Sequence, residues 1–202
     1  MSWSLYDEAG HREYLTDAER QAFMRAAKRC EPDVFTFCWV LKETGCRLSE
    51  ALALTVDRID FEAGVIIFWT LKKRGKGSHR AVPISRQLLD KLEKVHDLHA
   101  RQHKREKGRL WPWCRMTGYR RVKEVMEQAG IEGPHATPKG LRHGFGVAAL
   151  ERGVPLGSGG SRLLRGHGSE HQALEEEAAR FFGAASALYV GSGFAANSLL
   201  FA

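Results

Sequence analysis

The chain has 202 residues, 43% of them hydrophobic and 27% charged, enough for one compact domain with a sizeable core. Its net charge of +7 favours an anionic partner, nucleic acid before others, and the basic excess falls within residues 1–156, because residues 157–202 hold three basic and four acidic side chains. Cys30, Cys38, Cys46 and Cys114 form no Cys-x-x-Cys pair and the nine histidines are scattered, which argues against a metal site and reads as reduced, mostly buried thiols of a cytoplasmic protein.

In chain order, Tyr14–Cys30 opens with Thr16 and Glu19 in capping-box spacing and continues as an amphipathic helix. Residues 32–44 are apolar on most sides, which predicts a buried helix closed by Gly45. Helix resumes near Ser49, so Arg47 falls in the turn between two helices. The runs GVIIFWT (64–70) and HRAVPIS (79–85) are β-branched and aromatic-rich, and with LKKRGKGS between them they predict a hairpin with a basic tip. A polar helix is expected over about Arg86–Arg105, its end RQHKREKGR (101–109) solvated. LWPW (110–113) reads as core packing. A short helix with basic residues in its first turn covers 118–131, and a further helix starts at Thr137 as N-cap with Pro138 next, ending near Gly153. Beyond it come GSGGS, an acidic helix from Ser169, and a charge-free stretch over 181–202. That stretch is long enough to span a bilayer, but its Gly-Ser-Gly turn favours strand, loop and helix of an α/β protein.

Several of these cations suit a phosphodiester. Arg47 lies at a helix junction, Lys72 and Lys73 at the base of the hairpin, and Lys139 and Arg142 in the first turn of a helix, on one face at i and i+3. Guanidiniums make bidentate contacts to phosphate oxygens, and a lysine can pass a proton to a leaving oxygen. Lys73, Arg74, Lys76, Arg80, Arg120 and Arg121 are candidate contacts to the DNA backbone.

TGCRLSEALALTVDRIDFEAGVI (44–66), the LKK of the hairpin, and PKGLRHGFGVAALERGVPL (138–156) together resemble the catalytic domain of the tyrosine recombinases, the phage integrase family, over about residues 12–156. The resemblance implies a mainly helical fold with a small antiparallel sheet, and site-specific DNA breaking and rejoining of the kind that integrates mobile elements. It implies two activating arginines, matched by Arg47 and Arg142, and a hairpin lysine acting as general acid, Lys72 first and Lys73 second. Lys139 stands where the family carries His or Lys, and His143 is expected to be structural. The expected partners are double-stranded DNA and other recombinase protomers, with no cofactor and no membrane. The family's N-terminal DNA-clamping domain is expected to be missing, since the likeness begins almost at Met1.

The family also requires a tyrosine nucleophile shortly after a Leu-Gly-His segment. Here Gly166-His167 is present, but the ninth position beyond His167 is Glu176; Tyr189 lies 22 residues on, and Tyr6, Tyr14 and Tyr119 all precede the motif. Residues 157–202 resemble a different family, the α-oxoamine synthases, closest to 8-amino-7-oxononanoate synthase. The likeness rests on Gly-Ser-Gly-Gly-Ser-Arg, the His-x-x-Leu-Glu helix and Ser-Gly-Phe-x-Ala-Asn, in which Ser192, Gly193 and Phe194 match a turn that supports pyridoxal phosphate. The family's Schiff-base lysine is not in the segment, so no working cofactor site is expected. The chain therefore reads as a gene fusion near 156–157: a truncated recombinase domain at 1–156 and a synthase fragment at 157–202. Residual DNA binding without strand cleavage is the expectation. A non-catalytic DNA-binding remnant is the alternative, with a pyridoxal-phosphate acyltransferase behind it and a tyrosine supplied in trans left open.

Overall fold

The computed structural model describes residues 5–71, 77–151 and 169–185. The chain divides into two compact units, Met1–Ala148 and Ala149–Ala202. Among the described residues no helix is long and apolar enough to cross a membrane.

The first unit is a helical bundle with one small sheet. Helix α1 (Asp17–Ala27) begins with the expected capping box, Thr16 Oγ1 accepting from the Glu19 N–H at 3.3 Å while the Glu19 carboxylate accepts from the Thr16 N–H at 2.8 Å. The same carboxylate takes both Nη atoms of Arg12 at 2.7 Å and lies 3.2 Å from His135 Nε2, tying the N-terminal segment to the loop ahead of the last helix of the bundle. Burial alone would raise the Glu19 carboxyl; hydrogen bonds from Arg12, from the Thr16 backbone and from His135 bring it down to about 2.

Helix α2 (Pro32–Thr44) runs through the middle, with Phe37, Cys38 and Val40 wholly buried. Burial pushes the Cys38 thiol far above its ordinary range. The helix stops where the sequence says it should, at Gly45, whose φ of 57° lies in the left-handed region. After α3 (Leu48–Leu52) a 3₁₀ turn (Val56–Arg58) leads into an antiparallel sheet of order β1 (Ile59–Asp60), β2 (Val65–Leu71), β3 (Gly77–Pro83). Val65 pairs with Pro83 and Leu71 with Gly77, a register that puts Arg80 opposite Phe68 and His79 opposite Trp69. Alternation then decides the faces: Ile66 and Phe68 are buried against the bundle, whereas Trp69 is exposed.

The single helix expected over 86–105 is two, α4 (Arg86–His96) and α5 (Leu98–His103). Asp97 breaks it at φ 50°, a left-handed conformation that a short polar side chain tolerates, and both Leu92 and Leu98 reach full burial across the break. His96, at the turn, packs edge-on against Trp111 and lies 3.0 Å from Thr36 Oγ1. Burial lowers its imidazole to about 4. Trp111 is wholly buried and donates to the Asp33 carbonyl at 2.9 Å; of LWPW, Leu110 and Trp111 are core, Trp113 packs partly buried against it, and Pro112 is exposed. Helix α6 (Arg115–Gln128) starts three residues earlier than the sequence suggested, its Gly118 seated against Leu52 and Phe37.

Helix α7 (Pro138–Glu151) carries the second signature, with Thr137 Oγ1 accepting from the Gly140 N–H at 3.1 Å. It lies very close to its neighbours: a Cβ on Gly144 would collide with the Leu15 carbonyl. In the second unit the acidic segment forms the expected helix, Ser169–Phe182.

Candidate active site

Arg47 is the N-cap residue of α3, held there by the turn that Gly45 makes. Thr44 Oγ1 donates to the Val40 carbonyl at 2.7 Å and accepts from the Cys46 N–H at 3.3 Å, so the TGC triplet is satisfied locally and Cys46 is buried. Burial pushes the Cys46 thiol up to about 12, leaving an inert apolar side chain under the site. One turn into α3, Glu50 reaches back. Its Oε2 accepts from the Arg47 N–H at 2.8 Å and its Oε1 from Arg47 Nη1 at 2.9 Å.

Two more arginines come to the same carboxylate from distant parts of the chain. Arg80 Nη2, from β3, is 3.3 Å from Glu50 Oε2, and Arg142 Nη1, from the first turn of α7, is 3.9 Å from that oxygen. The Glu50 side chain is only 6% exposed, against 57% for Arg47, 42% for Arg80 and 29% for Arg142. Burial opposes ionisation of the Glu50 carboxyl, but hydrogen bonds from Arg47 and the charges of Arg80 and Arg47 outweigh it, and its pKa is held below the ordinary value. Burial, then the Arg47 charge, act the other way on Arg142 and lower its pKa, with Glu50 in opposition. A guanidinium starts so high that it stays charged. Three positive groups thus share one buried negative charge, and Arg142 Nη1 is buried with no hydrogen-bond partner among the described residues. Such a cluster suits an anion with several acceptor oxygens.

The other predicted residues fall elsewhere. Lys139 projects to Glu13, its Nζ 2.9 and 3.0 Å from the two carboxylate oxygens, and is not at Glu50. His143 is half-buried near Lys139 and Glu13, its imidazole lowered first by burial and then by the Lys139 charge. Arg120 and Arg121 both pair with Glu124 on α6. Lys72, Lys73, Arg74 and Lys76 of the hairpin tip, His167, and Ser192, Gly193 and Phe194 lie outside the described residues. Glu50 is the residue whose part the sequence reading understated. The spacing of Arg47 and Glu50 gives a local ion pair, whereas its service to three arginines depends on the β2–β3 register and on the placement of α7.

The profile of the phage integrase family matches residues 13–158, a stretch holding both signatures and the whole arginine cluster. The chain belongs to the phage integrase family. It is 33% identical over 125 residues to the tyrosine recombinase XerA of Pyrococcus furiosus, a match covering 58% of this chain and 41% of that protein. The fold is similar to that of the crystal structure of XerA recombinase (TM-score 0.57, 22% identity, covering 76% of this chain and 52% of that one). It is also similar to XerH site-specific recombinase, solved bound to a palindromic difH substrate in a post-cleavage complex (TM-score 0.56, 21% identity, 88% and 56%). The chain spans less than half the length of the curated recombinases it matches. A separate similarity, 54% identity over 52 residues, links it to 8-amino-7-oxononanoate synthase of Geobacter sulfurreducens, covering 26% of this chain and 13% of that enzyme. A fused, synthase-like tail accounts for that second match.

Proposed function

We propose that the Arg47–Arg80–Arg142 cluster receives a phosphodiester of double-stranded DNA, and that the chemistry inherited with it is site-specific recombination, the breaking and rejoining of DNA strands. The observation that carries the reading is the buried Nη1 of Arg142, without a hydrogen-bond partner among the described residues, beside two further guanidiniums and one carboxylate. A phosphate oxygen supplies the acceptor that Glu50 does not. As a nucleophile adds to phosphorus, charge builds on the non-bridging oxygens, and Arg47 and Arg142 are the groups that would stabilise it. Lys72, at the base of the hairpin as read from sequence, is the candidate donor of a proton to the leaving oxygen, with Lys73 behind it. Lys139 in this reading tethers α7 to Glu13 until DNA draws it away. Arg120, exposed on α6, and the partly buried Arg121 beside it would contact backbone outside the pocket. Further protomers of the family are the other expected partners, and a cytoplasmic location goes with a DNA substrate.

The covalent step is a different matter. A tyrosine must attack phosphorus to form a phosphotyrosine link, and the positions after His167 where one would stand carry the synthase-like sequence instead. This chain is therefore proposed to bind DNA and not to cleave it, with residues 1–156 as the recombinase-like part and 157–202 as the fused fragment. Incubation with a duplex, followed by native and denaturing gels, tests this. The expected result is a salt-sensitive retarded band with no denaturation-stable protein–DNA adduct. An adduct formed by the chain alone would overturn the loss of cleavage; absence of any retarded band at low salt would overturn the DNA reading itself.

A further inference from the structure

Arg80 was expected from sequence to be a direct DNA contact, and its surroundings give it a different task. Register sets it opposite Phe68, whose ring is buried, and the guanidinium lies over that ring at 5.3 Å from the centroid. The head group is thus fixed by the strand and by the ring before it meets Glu50. Each carboxylate oxygen offers two lone pairs. On Glu50 Oε2 one is occupied by the Arg47 N–H at 2.8 Å and the other by Arg80 Nη2 at 3.3 Å. Arg142 Nη1, at 3.9 Å, is attracted by the charge but lies beyond hydrogen-bond distance. It needs to move only about 1 Å to turn this long ion pair into a hydrogen-bonded one, and Arg80 already donates to the oxygen it would approach.

We propose that Arg80 is a positioning residue: by donating to Glu50 Oε2 from the strand side, it holds Arg142 Nη1 to a long 3.9 Å contact with that oxygen and leaves its N–H donors for a phosphate oxygen. The inference rests on the phosphodiester reading of the cluster and adds to it a reason why three arginines are gathered where two would hold the phosphate. Without Arg80, Arg142 closes onto Glu50, and DNA then has to break an ion pair before it can bind.

A double-mutant cycle on the full chain separates this role from direct contact. Arg80→Met keeps a stem over Phe68 and removes every donor; Arg142→Ala removes the guanidinium proposed to meet the phosphate. Binding of a duplex of about 20 base pairs is followed by fluorescence anisotropy across a salt series. Arg80→Met is expected to weaken binding about tenfold and to flatten the salt slope by about one, the signature of one lost phosphate contact. Arg142→Ala is expected to do the same, and the double variant to bind no more weakly than Arg142→Ala alone. Arg80→Lys, which can still donate to Oε2, is expected to recover most of the loss, a rescue that a purely structural defect would not show.

Additive losses in the double variant would mean that Arg80 touches DNA itself and would overturn the proposal, as would wild-type affinity in Arg80→Met. If Arg142→Ala binds like wild type while the duplex still binds, the phosphodiester reading of the cluster falls and takes Arg80's role with it. That outcome is told apart because it is seen in the variant that leaves Arg80 in place. Near-ultraviolet circular dichroism of each variant establishes that the compared proteins are folded.

Discussion

Replacing Gly45 by alanine tests whether the turn that holds Arg47 and the helix that brings Arg142 are one assembly. Two costs follow from the geometry. The residue sits at φ 57°, where an L side chain costs about 1–2 kcal/mol. A Cβ built there would also meet the Phe145 ring, 2.8 Å from Cγ, when comfortable carbon contacts begin near about 3.5 Å. Phe145 is one turn beyond Arg142 on α7, so relieving the collision pushes α7 away from the α2–α3 turn by up to about 1 Å, and crowding of this kind costs about 1–3 kcal/mol. Together the expected destabilisation is about 3 kcal/mol. Urea unfolding followed by tryptophan fluorescence measures it. The test becomes specific in the Phe145→Ala background, where the clash is absent and only the backbone cost remains: Gly45→Ala should then cost about 1 kcal/mol, a coupling of about 2 kcal/mol between the positions. Equal costs of Gly45→Ala in both backgrounds would refute the packing argument, and no destabilisation in either would refute the conformational one as well.

Other outcomes follow from the same coordinates. His96 is held at about 4 in the folded protein against an ordinary 6.5, so the unfolded chain takes up the proton first as pH falls. Stability is therefore fully present above about pH 6.5 and is lost as pH falls toward 4. By pH 5 this one group should remove about 2 kcal/mol, and a His96→Gln variant, however stable at pH 7, should lose correspondingly less over that interval in urea titrations. Alkylation by iodoacetamide under native conditions should modify Cys114 first: it is exposed, and hydrogen bonds from Thr117 lower its thiol. Cys38 and Cys46 should react only after unfolding, which peptide mass spectrometry reads directly; early labelling of Cys46 would mean that the floor of the arginine cluster is open.

Much of the architecture was legible because its signals are local. The Thr16–Glu19 box, the Gly45 stop, the Thr137-Pro138 start and the β-branched, aromatic-rich run GVIIFWT each depend on residues within a few positions of one another, and each appears as read. The break at Asp97 was not legible, since no glycine or proline marks it, and the neighbouring His96 packs on Trp111, far along the chain. Within the site, Arg47 and Arg142 were recognisable from their two signatures. What joins them was not: the Arg80–Glu50 contact spans 30 residues and the Lys139–Glu13 pair 126, and both depend on packing that no local pattern encodes. The i, i+3 spacing put Lys139 and Arg142 on one face in the first turn of the helix; there Glu13 takes the lysine and Glu50 the arginine.

The central claim is that three arginines around Glu50 form a phosphate site, and it can be tested without DNA. The melting temperature would be compared in about 20 mM inorganic phosphate and in sodium chloride of equal ionic strength, for the wild-type chain and for Arg142→Ala. A ligand that binds only the folded state raises its stability in proportion to occupancy, whereas general salting effects act on both proteins alike. The account predicts a phosphate-specific rise in the wild type that is lost in Arg142→Ala. An equal rise in both proteins, or none in either, would contradict it.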